Sequence, residues 1–168
     1  MKSKLALVMI LLLALPAVSV LASGQSGKSN VYQLYLAQKD YNDPTWPVIE
    51  DGAWGKLTFK YDVDPNKVVD AKYVFNGHLL TPGVSYTLVN FARVDSEWPM
   101  TVHTLDSAVA DEYGNVHISG YYPGVLGADT TITTGGAIKF WLVPSYQVVS
   151  EHINVWAPSE ILFDVDLM

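Results

Sequence analysis

Apolar and polar residues alternate with a period of two along most of the chain after residue 30, the pattern of strands that turn one face to a core. Leu57, Phe59, Tyr61 and Val63 share one face of a pleated segment, and Lys56, Thr58, Lys60 and Asp62 share the other. Val69, Ala71, Tyr73 and Phe75 oppose Asp70, Lys72 and Asn76 in the same way, and Ile161, Phe163 and Val165 oppose Asp164 and Asp166. The pattern predicts further strands over 31–38, 84–91, 101–110, 116–122 and 137–143. Together these make about eight strands at the spacing used by all-β sandwiches. Outside the first two dozen residues no window carries a helical period.

The turns agree with this reading. In Asp111-Glu112-Tyr113-Gly114-Asn115, between two alternating runs, Gly114 can supply the positive φ of a hairpin loop. In Leu80-Thr81-Pro82-Gly83-Val84-Ser85-Tyr86, Pro82 fixes φ, Gly83 permits a tight turn, and the Tyr86 hydroxyl can fold back to the upstream backbone. That is the tyrosine corner of Greek-key sandwiches. The segment resembles the corresponding corner of fibronectin type III and immunoglobulin-like domains, and the predicted fold is a single immunoglobulin-like antiparallel β-sandwich over 31–168.

A wider resemblance rests on Glu50-Asp51-Gly52-Ala53-Trp54-Gly55-Lys56, Tyr73-Val74-Phe75-Asn76-Gly77-His78, the Pro82-Gly83 corner, Gly114-Asn115-Val116-His117-Ile118-Ser119-Gly120 and Trp156-Ala157-Pro158-Ser159-Glu160. With these segments the chain resembles a mostly uncharacterised family of short secreted β-sandwich proteins of archaea, methanogens above all. The resemblance implies a surface location and brings no catalytic residues with it.

The start of the chain differs from the rest. Lys2 and Lys4 precede an almost unbroken apolar run from Leu5 to Leu21, and Val20-Leu21-Ala22 offers the small residues a signal peptidase favours. Residues 1–22 read as a signal peptide, and 23–30, rich in Gly and Ser, as a flexible tether. The run also has the length of a short membrane span, so an uncleaved anchor is the rival reading. Export places the protein outside the cell or on its surface, free of the membrane once the signal is removed.

Composition then excludes whole classes. The formal net charge is −7, and no run gathers Lys and Arg, so neither a nucleic-acid footprint nor a patch for anionic membranes is expected. The absence of cysteine rules out a disulfide scaffold, a thiol nucleophile and a Cys-ligated metal. Catalytic signatures are lacking too: there is no Gly-x-Ser-x-Gly elbow, His-Glu-x-x-His pair, phosphate loop or dinucleotide fingerprint. Glu50, Glu97 and Glu160 each stand near a tryptophan in sequence, the one hint of sugar hydrolysis. The expectation is a protein that is not an enzyme and needs no cofactor.

Binding chemistry remains. Trp46-Pro47, Trp98-Pro99 and Trp156-Ala157-Pro158 set three of the five tryptophans in stiff loops, where aromatic faces can stack on sugar rings or close the ends of the domain over its core. Trp141 falls on the strand face opposite Ile138, Phe140 and Leu142, either in an exposed aromatic strip with Tyr121 and Tyr122 or beneath a covering loop. Asp62, Asp64 and Asn66 offer alternate oxygen ligands suited to calcium, and Asp40, Asp43, Glu50 and Asp51 crowd a nearby loop; solvated turn carboxylates are the plainer reading of both. The four histidines lie far apart and read as surface or hydrogen-bonded groups. Val31 to Leu36 is a strong strand that can pair at home or be lent to a neighbour. The predicted role is therefore structural, adhesive or self-assembling at the cell surface, with carbohydrate binding through the loop tryptophans as the first alternative and a small hydrolase as the second.

Overall fold

A computed structural model describes residues 31–60, 71–91, 98–122 and 139–165. The predicted signal (1–22), the tether (23–30) and the candidate calcium ligands Asp62, Asp64 and Asn66 lie outside these residues, as do Tyr61, Val63, Val69 and Ile138. The described chain forms eleven strands and no α-helix: β1 (Val31–Gln38), β2 (Trp54–Lys60), β3 (Ala71–His78), β4 (Ser85–Phe91), β5 (Met100–Thr101), β6 (His103–Val109), β7 (Val116–Tyr122), β8 (Lys139–Pro144), β9 (Val148–Val149), β10 (His152–Ile153) and β11 (Leu162–Asp164). Short 3-10 turns occupy Ser145–Gln147 and Pro158–Glu160. Among the described residues no helix is long and apolar enough to cross a membrane.

The all-β, antiparallel expectation holds, but the arrangement of strands differs from two stacked sheets. Hydrogen bonding runs through one eight-stranded sheet in the order β6-β4-β8-β11-β1-β2-β3-β7, with a small sheet β5-β10-β9 outside it. Strand β1 makes the difference: it pairs with β2 from Val31 to Ala37 and with β11 from Leu36 to Gln38, so it joins two four-stranded halves. The edge strands β6 and β7 pack against each other, which bends the sheet into a barrel-like form. They are consecutive in the chain, and the turn between them is held by Asp111 N–H donating to the Asn115 carbonyl over 2.9 Å. Gly114 of this loop has φ +78°, the conformation its sequence anticipates.

The interior follows the predicted alternation. Leu57 and Phe59 of β2, Ala71, Tyr73 and Phe75 of β3, and Val116 and Ile118 of β7 all point inward and are buried. Residues from opposite walls meet: Phe59 lies 5.2 Å from Phe140 of β8 between ring centroids, and Tyr122 lies 5.9 Å from Phe140. The approach of β2 to β3 is tight enough that a Cβ on Gly55 would meet the Phe75 ring at 2.3 Å, so glycine is needed there. The tyrosine corner forms as its sequence predicts, with the Thr81 N–H donating to the Tyr86 hydroxyl over 3.2 Å.

Two strands break the simple pattern. The predicted strand over 101–110 divides at Val102, whose N–H donates to the Glu151 carbonyl, so the chain passes from the small sheet to the large one. Strand β11 is buried on both faces, with Leu162 inside the barrel and Ile161 and Phe163 outside it, where alternation with Asp164 predicts a half-buried strand. A second core accounts for this: Val89, Met100, Val102, Trp141, Val143, Ile153, Ile161 and Phe163 pack between the outer face of β8–β11 and the small sheet.

Candidate functional site

The second core ends in an aromatic cluster. On β8, Phe140 and Leu142 face the barrel interior, which turns Trp141 outward. Trp141 packs edge-to-face on Phe163 of β11, with centroids 4.9 Å apart, and Trp156 packs over it at 6.0 Å. Trp156 is the hub of the group, since Trp46, Trp98 and Phe163 each lie 6.2 Å from it. Trp46 also reaches Phe163 at 5.5 Å. Three predicted loop tryptophans and Trp141 therefore belong to one surface feature, although they come from four separate parts of the sequence.

The members divide by depth. Trp141 is 7% exposed and forms the floor, whereas Trp46, Trp156 and Trp98 are 37%, 43% and 54% exposed. Trp46 and Trp156 are inclined by only 33°, and Trp98 stands at 83° to Trp156. Two open rings thus lie near a common inclination with a third upright beside them. The aromatic strip that the sequence allows through Tyr121 and Tyr122 is not formed: Tyr122 points into the barrel and accepts a hydrogen bond from Asn90 Nδ2 at 3.0 Å, and Tyr121 is exposed on the far edge strand β7. Trp141 is instead covered, the other outcome its sequence left open.

Local chemistry fixes each ring. The loop before β2 is a chain of turns in which Asp40 Oδ1 accepts from the Asn42 N–H, and Asp43 Oδ1 accepts from the Thr45 N–H and hydroxyl at 2.8 and 2.6 Å. Asp40 N–H closes the loop onto the Pro47 carbonyl, and Trp46 N–H donates to the Asp43 carbonyl. Trp46 itself has φ +51°, a left-handed conformation rare for a bulky residue, and this swings its ring towards Phe163. The Thr45 side-chain hydroxyl first, and its N–H second, hold the Asp43 carboxyl below the ordinary aspartate range. The acidic loop thus has a structural task in its own hydrogen bonds. Trp156 follows a segment pinned to the body by Asn154 N–H donating to the carbonyl of buried Gln147.

Polar groups border the rings. Asp164 accepts from Trp141 Nε1 at 3.1 Å and from Lys139 Nζ at 3.2 Å, and Lys39 Nζ lies 6.0 Å from the centre of the Phe163 ring. Hydrogen-bonding groups beside open aromatic faces are the composition of a site for polyhydroxylated rings.

The other candidates are dispersed. His78 bonds Asn115, His117 bonds Asn76, His152 bonds the Ser150 carbonyl, and His103 sits 3.6 Å from Glu151, so each histidine has its own local partner. Among the described residues no group of three or more His, Asp or Glu is gathered as a metal site. Glu160 accepts from the Tyr146 hydroxyl at 3.1 Å beside a small cavity lined by Gln38, Thr81, Tyr86 and Ser159, and Glu97 lies outside the described residues.

Sequence reading missed a second feature. Ala37 of β1 is in register with Phe163 on one side and Trp54 on the other, and Trp54 is in register with His78 of β3. Trp54, 4.7 Å from the His78 ring, therefore continues the row on which the cluster stands. No signal in the sequence links Trp54 to Phe163, because the register that aligns them belongs to two different strand pairs. No family model matches the chain, and neither curated proteins nor solved structures match it.

Proposed function

We propose that the protein is a non-catalytic binding module of the cell surface that holds a glycan against its tryptophan cluster. The observation that carries this reading is the convergence of Trp46, Trp98 and Trp156, each more than a third exposed, over the buried floor of Trp141 and Phe163. Large open indole faces next to water are unfavourable unless something covers them, and the flat apolar faces of pyranose rings do so while their hydroxyls reach the bordering charges. Export to the surface is supported by the basic start and apolar run of residues 1–22 and by the resemblance to secreted archaeal proteins. An immunoglobulin-like kinship is supported by the Tyr86 corner.

An adhesive role through glycans fits better than a role built on lending the first strand. Strand β1 is paired with β2 over Val31 to Ala37 and on its other side with β11 over Leu36 to Gln38, and Leu36 is fully buried. The edge strand β6 carries a register shift opposite Leu88 and Val89, a device that blunts pairing with another chain.

The test is retention on a panel of insoluble polysaccharides, with Trp156→Ala, Trp46→Ala and Trp98→Ala compared with Tyr113→Ala, an exposed aromatic in the distant turn. Loss of one stacked ring lowers affinity by about tenfold, with Trp156→Ala the most damaging. Retention of no polysaccharide, or equal retention of Trp156→Ala and Tyr113→Ala, overturns the reading.

A further inference from the structure

Among the described residues, the outer face of β1, β2, β3 and β7 carries a charge opposite to that of the chain. Alternation turns Lys56 and Lys60 of β2 and Lys72 of β3 outward, and the outward positions of these four strands include no Asp or Glu. The whole sequence has 17 acidic residues against 10 basic ones, so three lysines with no carboxylate among the described outward positions of these strands run against its overall sign. Among the described residues no carboxylate lies within ion-pair distance of these lysines.

The arrangement has a local cost. Lys60 and Lys72 are direct cross-strand partners, and like charges directly opposite each other destabilise a sheet. An anion lying across both ammonium groups would offset this. Aromatic rings stand in the same rows: Tyr121, 69% exposed, is the register partner of Lys72, and Lys56 Nζ lies 5.7 Å from the centre of the Tyr35 ring.

The face is also continuous with the tryptophan cluster. The register row Phe163, Ala37, Trp54, His78 crosses from one to the other, and with adjacent strands about 5 Å apart Trp54 stands roughly 10 Å from Phe163. The only residue between them is small.

We propose that the two surfaces form one extended site and that its ligand is an acidic polysaccharide. The sugar rings lie on the tryptophans, and the carboxylate or sulfate groups further along the polymer meet Lys56, Lys60 and Lys72. This rests on the glycan reading for the rings and on the sheet face alone for the charge. A flat sheet suits an extended polymer, and cations interleaved with rings and the hydroxyls of Thr58 and Ser119 suit its alternating chemistry.

The experiment is titration calorimetry of the purified protein with polygalacturonate, with its fully methyl-esterified neutral form and with a single-stranded oligonucleotide, at low and moderate salt. Polygalacturonate is expected to bind at least tenfold tighter than the neutral form, an advantage that shrinks with salt. Lys60→Gln with Lys72→Gln should remove most of that advantage, keep affinity for the neutral polymer, and raise the melting temperature by relieving the like-charge pair. Trp156→Ala should weaken both polymers. Equal affinity for the acidic and neutral polymers overturns the inference and leaves the glycan reading standing; binding of neither overturns both. An oligonucleotide that binds as tightly as polygalacturonate would show a site for any polyanion and sink the polysaccharide assignment. So would growth of mass with concentration in light scattering without polymer, abolished by the lysine variants, because the occupant would then be the acidic surface of a second copy.

Discussion

The indole N–H of Trp141 donates to Asp164 Oδ1 over 3.1 Å across β8 and β11, while Lys139 Nζ holds the other oxygen at 3.2 Å. One carboxylate thereby fixes the floor of the tryptophan cluster, and the rings above inherit their positions from it.

Replacing Trp141 tests that floor. Trp141→Ala removes a buried ring from beneath Trp156 and should cost about 3–5 kcal/mol of stability in urea unfolding. Asp164→Ala should cost less, about 1–3 kcal/mol, by leaving a part-buried N–H without its acceptor. Near-ultraviolet circular dichroism should lose the signal of the coupled indoles in the first variant. An unchanged spectrum would mean that Trp156 does not depend on Trp141.

Acid should loosen the loop that presents Trp46. Asp43 is held below the ordinary aspartate value of 3.8 by Thr45, and Asp111 is held below it first by the Asn115 N–H, then by the Asn115 side chain and the Tyr113 N–H. A carboxyl depressed in the folded state stabilises the fold at pH above its unfolded value and loses that contribution as pH falls through its folded one. Carboxyl resonances of both residues should therefore titrate below the ordinary value, with thermal stability falling below about pH 4. Thr45→Val, which removes the hydroxyl but keeps the N–H, should raise Asp43 towards the ordinary range and leave Asp111 alone. Titration of Asp43 at the same pH in both proteins would refute the account.

Strain is stored in the small sheet. Ser150 and Glu151 form the two-residue turn between β9 and β10 with φ of +50° and +59°, a conformation that favours Asn and Gly. Glu151→Gly should raise stability by about 1 kcal/mol, because the exposed pair with His103 contributes little. A fall in melting temperature would contradict this.

The two turns that close one end of the barrel should respond differently. Gly114→Ala puts a Cβ 2.4 Å from the Leu80 carbonyl oxygen at a positive φ, so it combines strain with a clash. It should destabilise by about 2 kcal/mol or more. Tyr86→Phe only deprives the Thr81 N–H of its acceptor and should cost about 1 kcal/mol. Chemical denaturation of the two variants separates these values; a larger loss for Tyr86→Phe would reverse the assignment.

Strand faces were legible in the sequence wherever one side meets the core and the other meets water. Leu57 and Phe59, and Tyr73 and Phe75, lie on the side their alternation predicts. Trp141, Val143, Ile161 and Phe163 were harder to place, because a strand buried on both faces loses its period of two. The loop tryptophans stood out by composition and the flanking prolines, but their grouping was not visible. Cross-strand register was equally hidden, and with it the face shared by Lys56, Lys60 and Lys72 and the row from Phe163 to Trp54.

Residue type and spacing alone determine that the described chain is all-β, that Gly114 takes the positive φ of a tight turn, that Tyr86 folds back on its corner, and that aromatic rings stand in its loops. These properties depend on neighbours a few residues away, through backbone sterics, pleat alternation and short hydrogen bonds. The tertiary structure decides that β1 bridges two halves into one sheet, that Trp46, Trp98 and Trp141 gather around Trp156, and that lysines from two strands share a face. Those depend on which distant segments pair and in what register, a choice made by burial of the whole core and not recorded in any local stretch of sequence.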